Sequence, residues 1–320
     1  MLKDYRLSLI VPVYNEATII QVFHQRLSSV LETLPCRAEI IYVNDGSTDN
    51  SYALLQDLQK NDPCIALIDL SRNFGKEIAL SAGLDHCQGD AVIVIDADLQ
   101  DPPELIPTLI EHWQQGSDVV YARRSSRAGE TWLKKFSAHA FYRLLHRLSP
   151  IQIPVDTGDF RLLSRRTVEA LKQLRESHRF MKGLFAWVGY PQTAVVYERD
   201  PRFGGKSKWN YWKLWDLAIE GITSFSTSPL KFATYFGFIT ALGAFIYAMF
   251  IIYKTLLYGE PVHGYPSLMV VMLFLGGIQL ITLGIMGEYL GRTFVESKRR
   301  PLYLVKNYEP ASFFDSRETN

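Results

Sequence analysis

Continuously apolar, β-branched runs recur through the first part of the chain, and each stops at a cluster of polar turn residues. They are Leu7–Val13, Ala38–Val43, Ile65–Leu70, Ala91–Ile95 and Val119–Ala122. Short runs of this kind predict strands buried on both faces. The intervening segments have helical spacing: Ala17–Leu34, the stretch from Asp49 through Lys60, Lys76–Cys87 and Pro103–Gln115. Strand and helix alternate with short loops and no internal repeat, which predicts an α/β domain built on a mostly parallel, doubly wound sheet.

The pattern changes near the C-terminus. Phe232–Tyr253 and Pro266–Gly287 are uncharged, and at 1.5 Å per residue each is long enough to cross a hydrocarbon core of about 30 Å. The connector carries Lys254, Glu260 and His263, whereas Lys231 precedes the first run and Arg292, Lys298, Arg299 and Arg300 follow the second. By the positive-inside rule both flanks are cytoplasmic and the connector lies outside. Trp209, Trp212, Trp215 and Ile219 line one side of an aromatic helix that runs to Phe225, suited to lie along the bilayer. A second basic amphipathic segment, Thr131–Leu148, fits a membrane surface or a helix packed on the sheet with a solvated basic face. The expected organisation is a cytoplasmic domain over 1–208, an amphipathic juxtamembrane helix over 209–229, two transmembrane helices within 230–292 and a cytoplasmic tail over 293–320. Gly287 and Gly291 form a small-xxx-small pair, a pointer to a homo-oligomer.

Composition narrows the function classes. A net charge of +1 over 320 residues argues against a nucleic-acid-binding surface. Cys36, Cys64 and Cys87 are scattered and lack CxxC spacing, so neither a disulfide framework nor a zinc site is indicated. The N-terminus enters a strand at once, without the h-region of a signal peptide.

The densest chemistry is VIVIDADLQDPPE, at Val92–Glu104. Side chains two apart in extended backbone point the same way, so Asp96 and Asp98 face one spot beside the carboxyl end of the sheet, where open α/β folds bind ligands. Paired carboxylates there suit Mg²⁺ or Mn²⁺ bridging a nucleoside diphosphate. Asp101, followed by Pro102, Pro103 and Glu104, reads instead as a helix N-cap with a capping-box glutamate. At the second strand end Asp45 is placed to present a carboxylate to a base or ribose, Gly46 permits the tight turn, and Asp49 reads as an N-cap. Glu16 fits either a ribose hydroxyl or the first turn of its helix.

SLIVPVYNE, VNDGSTDNS, LSRNFGKEIAL and DADLQDPPE, in that order, resemble the family 2 glycosyltransferases of GT-A fold. The branch resembled is the polyprenyl-phosphate glycosyltransferases, which includes dolichol-phosphate mannose synthase and the bactoprenol glucosyltransferases. The resemblance covers the soluble part and implies that Pro12, Tyr14, Glu16 and Asp45 cradle the nucleoside. It also implies that Asp96 and Asp98 meet the metal and diphosphate, with Gln100 as a further metal ligand. Lys76 is placed near the donor phosphates, with a solvated helix lysine equally open. VDTGDFRLL resembles the family's acceptor-side motif and makes Asp159 its catalytic base. Asp159 and Arg161 are two apart, so both aim at one place, where Arg161 has the fork to clamp a phosphate. Arg123, Arg124 and Arg127 follow the sheet, and Arg124 is expected to bind phosphate. The loop RDPRFGGKSK brings Arg202, Lys206 and Lys208 to a closing segment.

The expected activity is inverting, metal-dependent transfer of a hexose to a polyprenyl phosphate in the cytoplasmic leaflet of the cell membrane. UDP-glucose and undecaprenyl phosphate come first, and GDP-mannose with dolichyl phosphate next. A processive synthase would carry Q-x-x-R-W, which is missing, and intact acidic motifs speak against a non-catalytic scaffold. The acceptor is a phosphate monoester with a second pKa of about 6, already largely ionised at neutral pH. Asp159 is therefore expected to orient Arg161 and the acceptor phosphate rather than to remove a proton. Everything after Ser228 is expected to be dispensable for donor binding.

Overall fold

In the computed structural model, residues 5–125, 154, 157–198, 226, 228–258 and 264–312 are described. The strands are β1 (Arg6–Val13), β2 (Arg37–Asn44), β3 (Ile65–Leu70), β4 (Ala91–Val94), β5 (Val119–Arg124), β6 (Thr157–Ser164), β7 (Gln192–Tyr197) and β8 (Val305–Glu309). They form one eight-stranded sheet in the order β7-β5-β6-β4-β1-β2-β3-β8. The centre, β4-β1-β2-β3, is parallel throughout, as its unbroken apolar runs require. The mostly parallel sheet expected from sequence is found, with β7 also parallel to β5, and two strands depart from it. β6 inserts antiparallel between β4 and β5, and β8 adds antiparallel to β3, so the sheet is mixed. β6 escaped the hydrophobic pattern because Asp159 and Arg161 interrupt it, and β8 because VKNYE is polar on both faces.

Helices cover both faces. α1 (Ile20–Leu31), α2 (Ser51–Asn61) and α4 (Ile106–Gln114) close one core layer on Leu7, Leu9 and Val11. α3 (Lys76–His86), α5 (Arg165–Gln173) and α6 (Met181–Trp187) close the other on Ile10, Ile41 and Val43. Alternate β1 residues feed opposite layers, as the strand period demands. α3 lies unusually close to β1: a Cβ on Gly83 would sit 2.3 Å from Ile10 Cγ2. That contact fixes α3 against the sheet and sets the position of Lys76 at its N-terminal end.

α7 (Ser228–Tyr258) and α8 (Tyr265–Ser297) contain windows of mean hydropathy 1.4 and 2.1, and both are long and apolar enough to cross a membrane. Their apolar side chains are open, with Phe238 67%, Phe245 64% and Leu280 72% exposed. The segment after α8 folds back onto the sheet, where β8 pairs with β3 and Ala311 is buried in the second core layer. Tyr303 Oη donates to Asp85 at 2.8 Å, Arg175 grips the same carboxylate at 2.7 and 3.0 Å, and Ser177 N donates to Glu296 at 2.7 Å. The juxtamembrane helix over 209–229 lies almost wholly outside the described residues, and the basic segment Thr131–Leu148 entirely so.

Candidate active site

The carboxyl ends of β1, β2 and β4 and the start of α3 enclose a cleft. Pro12, Tyr14 and Glu16 line it from β1, Asp45 from β2, Asn73 and Lys76 from the β3–α3 loop, and Asp96 and Asp98 from β4. Apart from Asn73, each of these residues was singled out in the sequence, and the structure places them around one cleft.

Backbone hydrogen bonds explain why the motifs read as they do. Asn15 adopts φ 56°, and its side-chain oxygen accepts from Thr48 N at 2.8 Å. In return Asn15 N donates to Ser47 Oγ, Glu16 N to Ser51 Oγ at 2.8 Å, and Ala17 N to Asp49 Oδ2 at 3.2 Å. The β1 and β2 loops are thus sewn together. Asp49 also accepts from Ser51 N at 3.0 Å, but the N-cap position of α2 is Asn50, so Asp49 joins the loops from one residue before the cap rather than being the N-cap expected from sequence. Asp45 accepts from Phe74 N at 2.7 Å and Gly75 N at 3.0 Å, anchoring the loop that carries Lys76. Burial pushes its pKa up against those two amides and Arg72. Gly46, at φ 64°, leaves no space for a side chain, because a Cβ would lie 2.5 Å from Arg72 C and Asn73 N.

The charged centre is a knot of three groups. Lys76 Nζ donates to Asp96 Oδ2 at 2.6 Å and to Asp159 Oδ2, drawing β4, β6 and α3 to one point. Lys76 is thus an exposed lysine at the start of α3 whose ammonium is held by two carboxylates. The other oxygens, Asp96 Oδ1 and Asp159 Oδ1, are buried with no hydrogen-bond partner. Burial raises the Asp96 pKa, Lys76 opposes this, and the charge of Asp159 adds to it. Burial would raise Asp159 too, but Lys76 and Lys182 outweigh it and hold that carboxyl well below the usual range. Lys76 is pushed up, the two carboxylates overcoming its own desolvation. Beside the knot, burial and Asp159 push Glu77 up to about 7 against Lys76 and Lys182. Glu77 and Lys182 were not singled out from the sequence, although Glu77 sits inside LSRNFGKEIAL.

Asp98 Oδ1 accepts from Gln100 N at 3.1 Å, and Gln100 is buried. Leu99 between them has φ 58°, a left-handed conformation costly for a β-substituted residue. Asp101 is not a helix cap. It is 1% exposed and accepts from Tyr197 Oη, the following turn has no side-chain cap, and Glu104 pairs with Arg26 at 2.7 and 2.8 Å. Arg124 lies beside Tyr197 and Gly158, with its buried Nε unpaired. Arg161 shares a strand face with Asp159, but its Nη2 donates to Gly158 O at 2.9 Å and its guanidinium stacks on Phe185 at 3.9 Å. Burial lowers its pKa to about 10, Asp159 opposing, so it stays charged while working underneath the cleft. Arg127, Arg202, Lys206 and Lys208 lie outside the described residues.

The profile of Glycosyl transferase family 2 matches residues 8–172, and that of the GtrB C-terminal hairpin matches residues 228–293. A glycosyltransferase of Synechocystis sp. is 57% identical over 94% of this chain and 95% of its own. The bactoprenol glucosyl transferase of Shigella phage SfV is 51% identical over 94% of this chain and 98% of its own. A prophage bactoprenol glucosyl transferase homolog of Escherichia coli is 49% identical, covering 94% and 98%. Among solved structures, glucosyl-3-phosphoglycerate synthase from Mycobacterium tuberculosis, in complex with Mn²⁺, UDP-glucose and phosphoglyceric acid, aligns with a TM-score of 0.48 at 20% identity, covering 68% of this chain and 78% of that one. A sheet whose parallel centre ends in this acidic cleft, and a family match across it, make the chain a glycosyltransferase of family 2.

Proposed function

We propose that this enzyme transfers glucose from UDP-glucose to a polyprenyl phosphate, undecaprenyl phosphate first, with inversion and at the cytoplasmic face of a membrane. The observation that carries the reading is near-full-length similarity to bactoprenol glucosyl transferases, which extends through both the cleft and the apolar hairpin. A long isoprenoid must stay in lipid while its phosphate reaches the cleft, and two spanning helices supply the anchorage this needs.

Asp96 and Asp98 fit a divalent cation: both line the cleft, and Asp96 Oδ1 is a buried acceptor without a partner. No group of three or more metal-ligating acids, histidines or cysteines converges among the described residues, so Gln100, the donor diphosphate and water would complete the shell. Bound there, Mg²⁺ or Mn²⁺ neutralises the charge that develops on departing UDP. The chain's own residues do the rest. Pro12, Tyr14, Glu16 and Asp45 hold the nucleoside end, Asp45 through the loop it anchors, and Lys76 adds a cation beside the diphosphate. Asp159, kept ionised, is too weak a base to hold a proton and instead orients the reacting groups, with Arg161 bracing it from below. Arg124, through its unpaired Nε, and Arg202, Lys206 and Lys208 bind phosphate.

Full-length protein in membranes, given radiolabelled UDP-glucose and undecaprenyl phosphate, should yield a lipid-extractable glucosyl product. Labelling from GDP-mannose alone would overturn the sugar assignment, and no lipid product from any nucleotide sugar would overturn the reaction.

A further inference from the structure

Inversion requires the acceptor to attack the sugar from the side opposite the departing diphosphate. On the proposed reading the diphosphate lies at Asp96 and Asp98, and the acceptor phosphate approaches from the side of Asp159, which Lys76 joins to Asp96. It is a dianion approaching an ionised carboxylate, so it needs a cation on that side. Arg161 is committed to backbone carbonyls and the Phe185 ring.

α6 supplies another. Its first residue is pinned by Met181 N donating to Glu77 Oε2 at 3.3 Å, and one turn on Phe185 lies against the Arg161 guanidinium. Residues three apart share a helix face, so Lys182 is turned with Phe185 toward β6, the strand that carries Asp159 and Arg161. The contacts of Met181 with Glu77 and of Phe185 with Arg161 bracket Lys182 beside the strand that carries Asp159, and its charge acts on Asp159 and Glu77. It is half-buried, and among the described residues no hydrogen bond or ion pair engages its ammonium.

We propose that Lys182 is the cation that receives the phosphate of the lipid acceptor, with Glu77 fixing the helix turn that presents it. The assignment rests on the proposed transfer to a polyprenyl phosphate and adds to it the residue that recognises the phosphate.

The test uses full-length enzyme in phospholipid vesicles, with UDP-glucose and undecaprenyl phosphate varied separately. Lys182→Ala should raise the KM for undecaprenyl phosphate by about tenfold or more, the loss of one charge-assisted contact. The KM for UDP-glucose and the affinity for UDP should stay within about twofold, which also reports an intact fold. Lys182→Arg should recover most of the acceptor affinity, and Lys182→Gln should not. An unchanged acceptor KM in an active Lys182→Ala enzyme, or equal losses toward donor and acceptor, would overturn the assignment while leaving the reaction standing. Wild-type enzyme that forms no lipid product would overturn the reaction itself, and this assignment with it.

Discussion

Asp159 shows how surroundings decide chemistry at the level of one residue. Lys76 and Lys182 hold its carboxyl ionised against burial, and an acceptor phosphate with a second pKa of about 6 needs no base at neutral pH. Wild type and Asp159→Asn should therefore share an acidic limb in their pH–rate profiles, set by acceptor ionisation, and differ mainly in height. Loss of that limb on substitution, with acceptor affinity retained, would make Asp159 the base. Asp98→Asn should remove most turnover while the protein stays folded, and excess chelator should do the same to wild type; full activity in chelator would exclude the metal. Residues that end a buried strand were legible in the sequence, because Asp45, Asp96 and Asp98 are placed by local pattern alone. Asp101 was misread for the opposite reason: Asp-Pro-Pro-Glu satisfies a local capping template, yet its partner Tyr197 lies 96 residues away.

At the level of elements, the site depends on loops locked to one another rather than on any single helix or strand. Gly46→Ala places a Cβ 2.5 Å from the backbone of Arg72 and Asn73 and forces a residue with φ 64° out of its favoured region. It should lower the melting temperature and weaken UDP binding together, since the displaced loop leads into Lys76; unchanged UDP affinity would separate Gly46 from the site. α1 carries a pH-sensitive contact remote from the cleft. His24 Nδ1 meets Tyr42 Oη at 3.1 Å, and burial lowers its pKa although Asp62 opposes this. The folded state thus favours the neutral ring, so stability is full above about pH 6.5, the value for an unperturbed histidine, and is lost as pH falls through the lower folded value. His24→Gln should flatten the dependence of melting temperature on pH between about 7 and 5. Helices and central strands were legible because their periodicity is local. β6 was seen only as an extended segment, because its register is set by β4 and β5 rather than by its own pattern.

At the scale of the whole molecule, two helices long and apolar enough to cross a membrane are followed by a segment that returns to the sheet. A tag between Glu260 and Tyr265 should be reached from outside intact cells and a tag at Asn320 should not; equal labelling would overturn the topology. The C-terminal segment changes what truncation should do. The sequence made everything after Ser228 dispensable for donor binding, but β8 covers the β3 edge and Tyr303 holds Asp85 at the far end of the helix that begins with Lys76. Uncovered edges invite strand pairing between molecules, and loss of the Tyr303 contact leaves Asp85 with Arg175 alone among the described ion pairs. Ending the chain at Pro301, which keeps both apolar helices, should therefore lower the melting temperature, promote aggregation and weaken UDP binding. Tyr303→Phe, which removes one hydrogen bond and leaves β8 in place, should reproduce only a small part of that loss, about 1 kcal/mol of stability. If the protein ending at Pro301 melts and binds UDP as the full chain does, β8 is an ornament on the sheet edge and the cleft is held by the first two hundred residues alone.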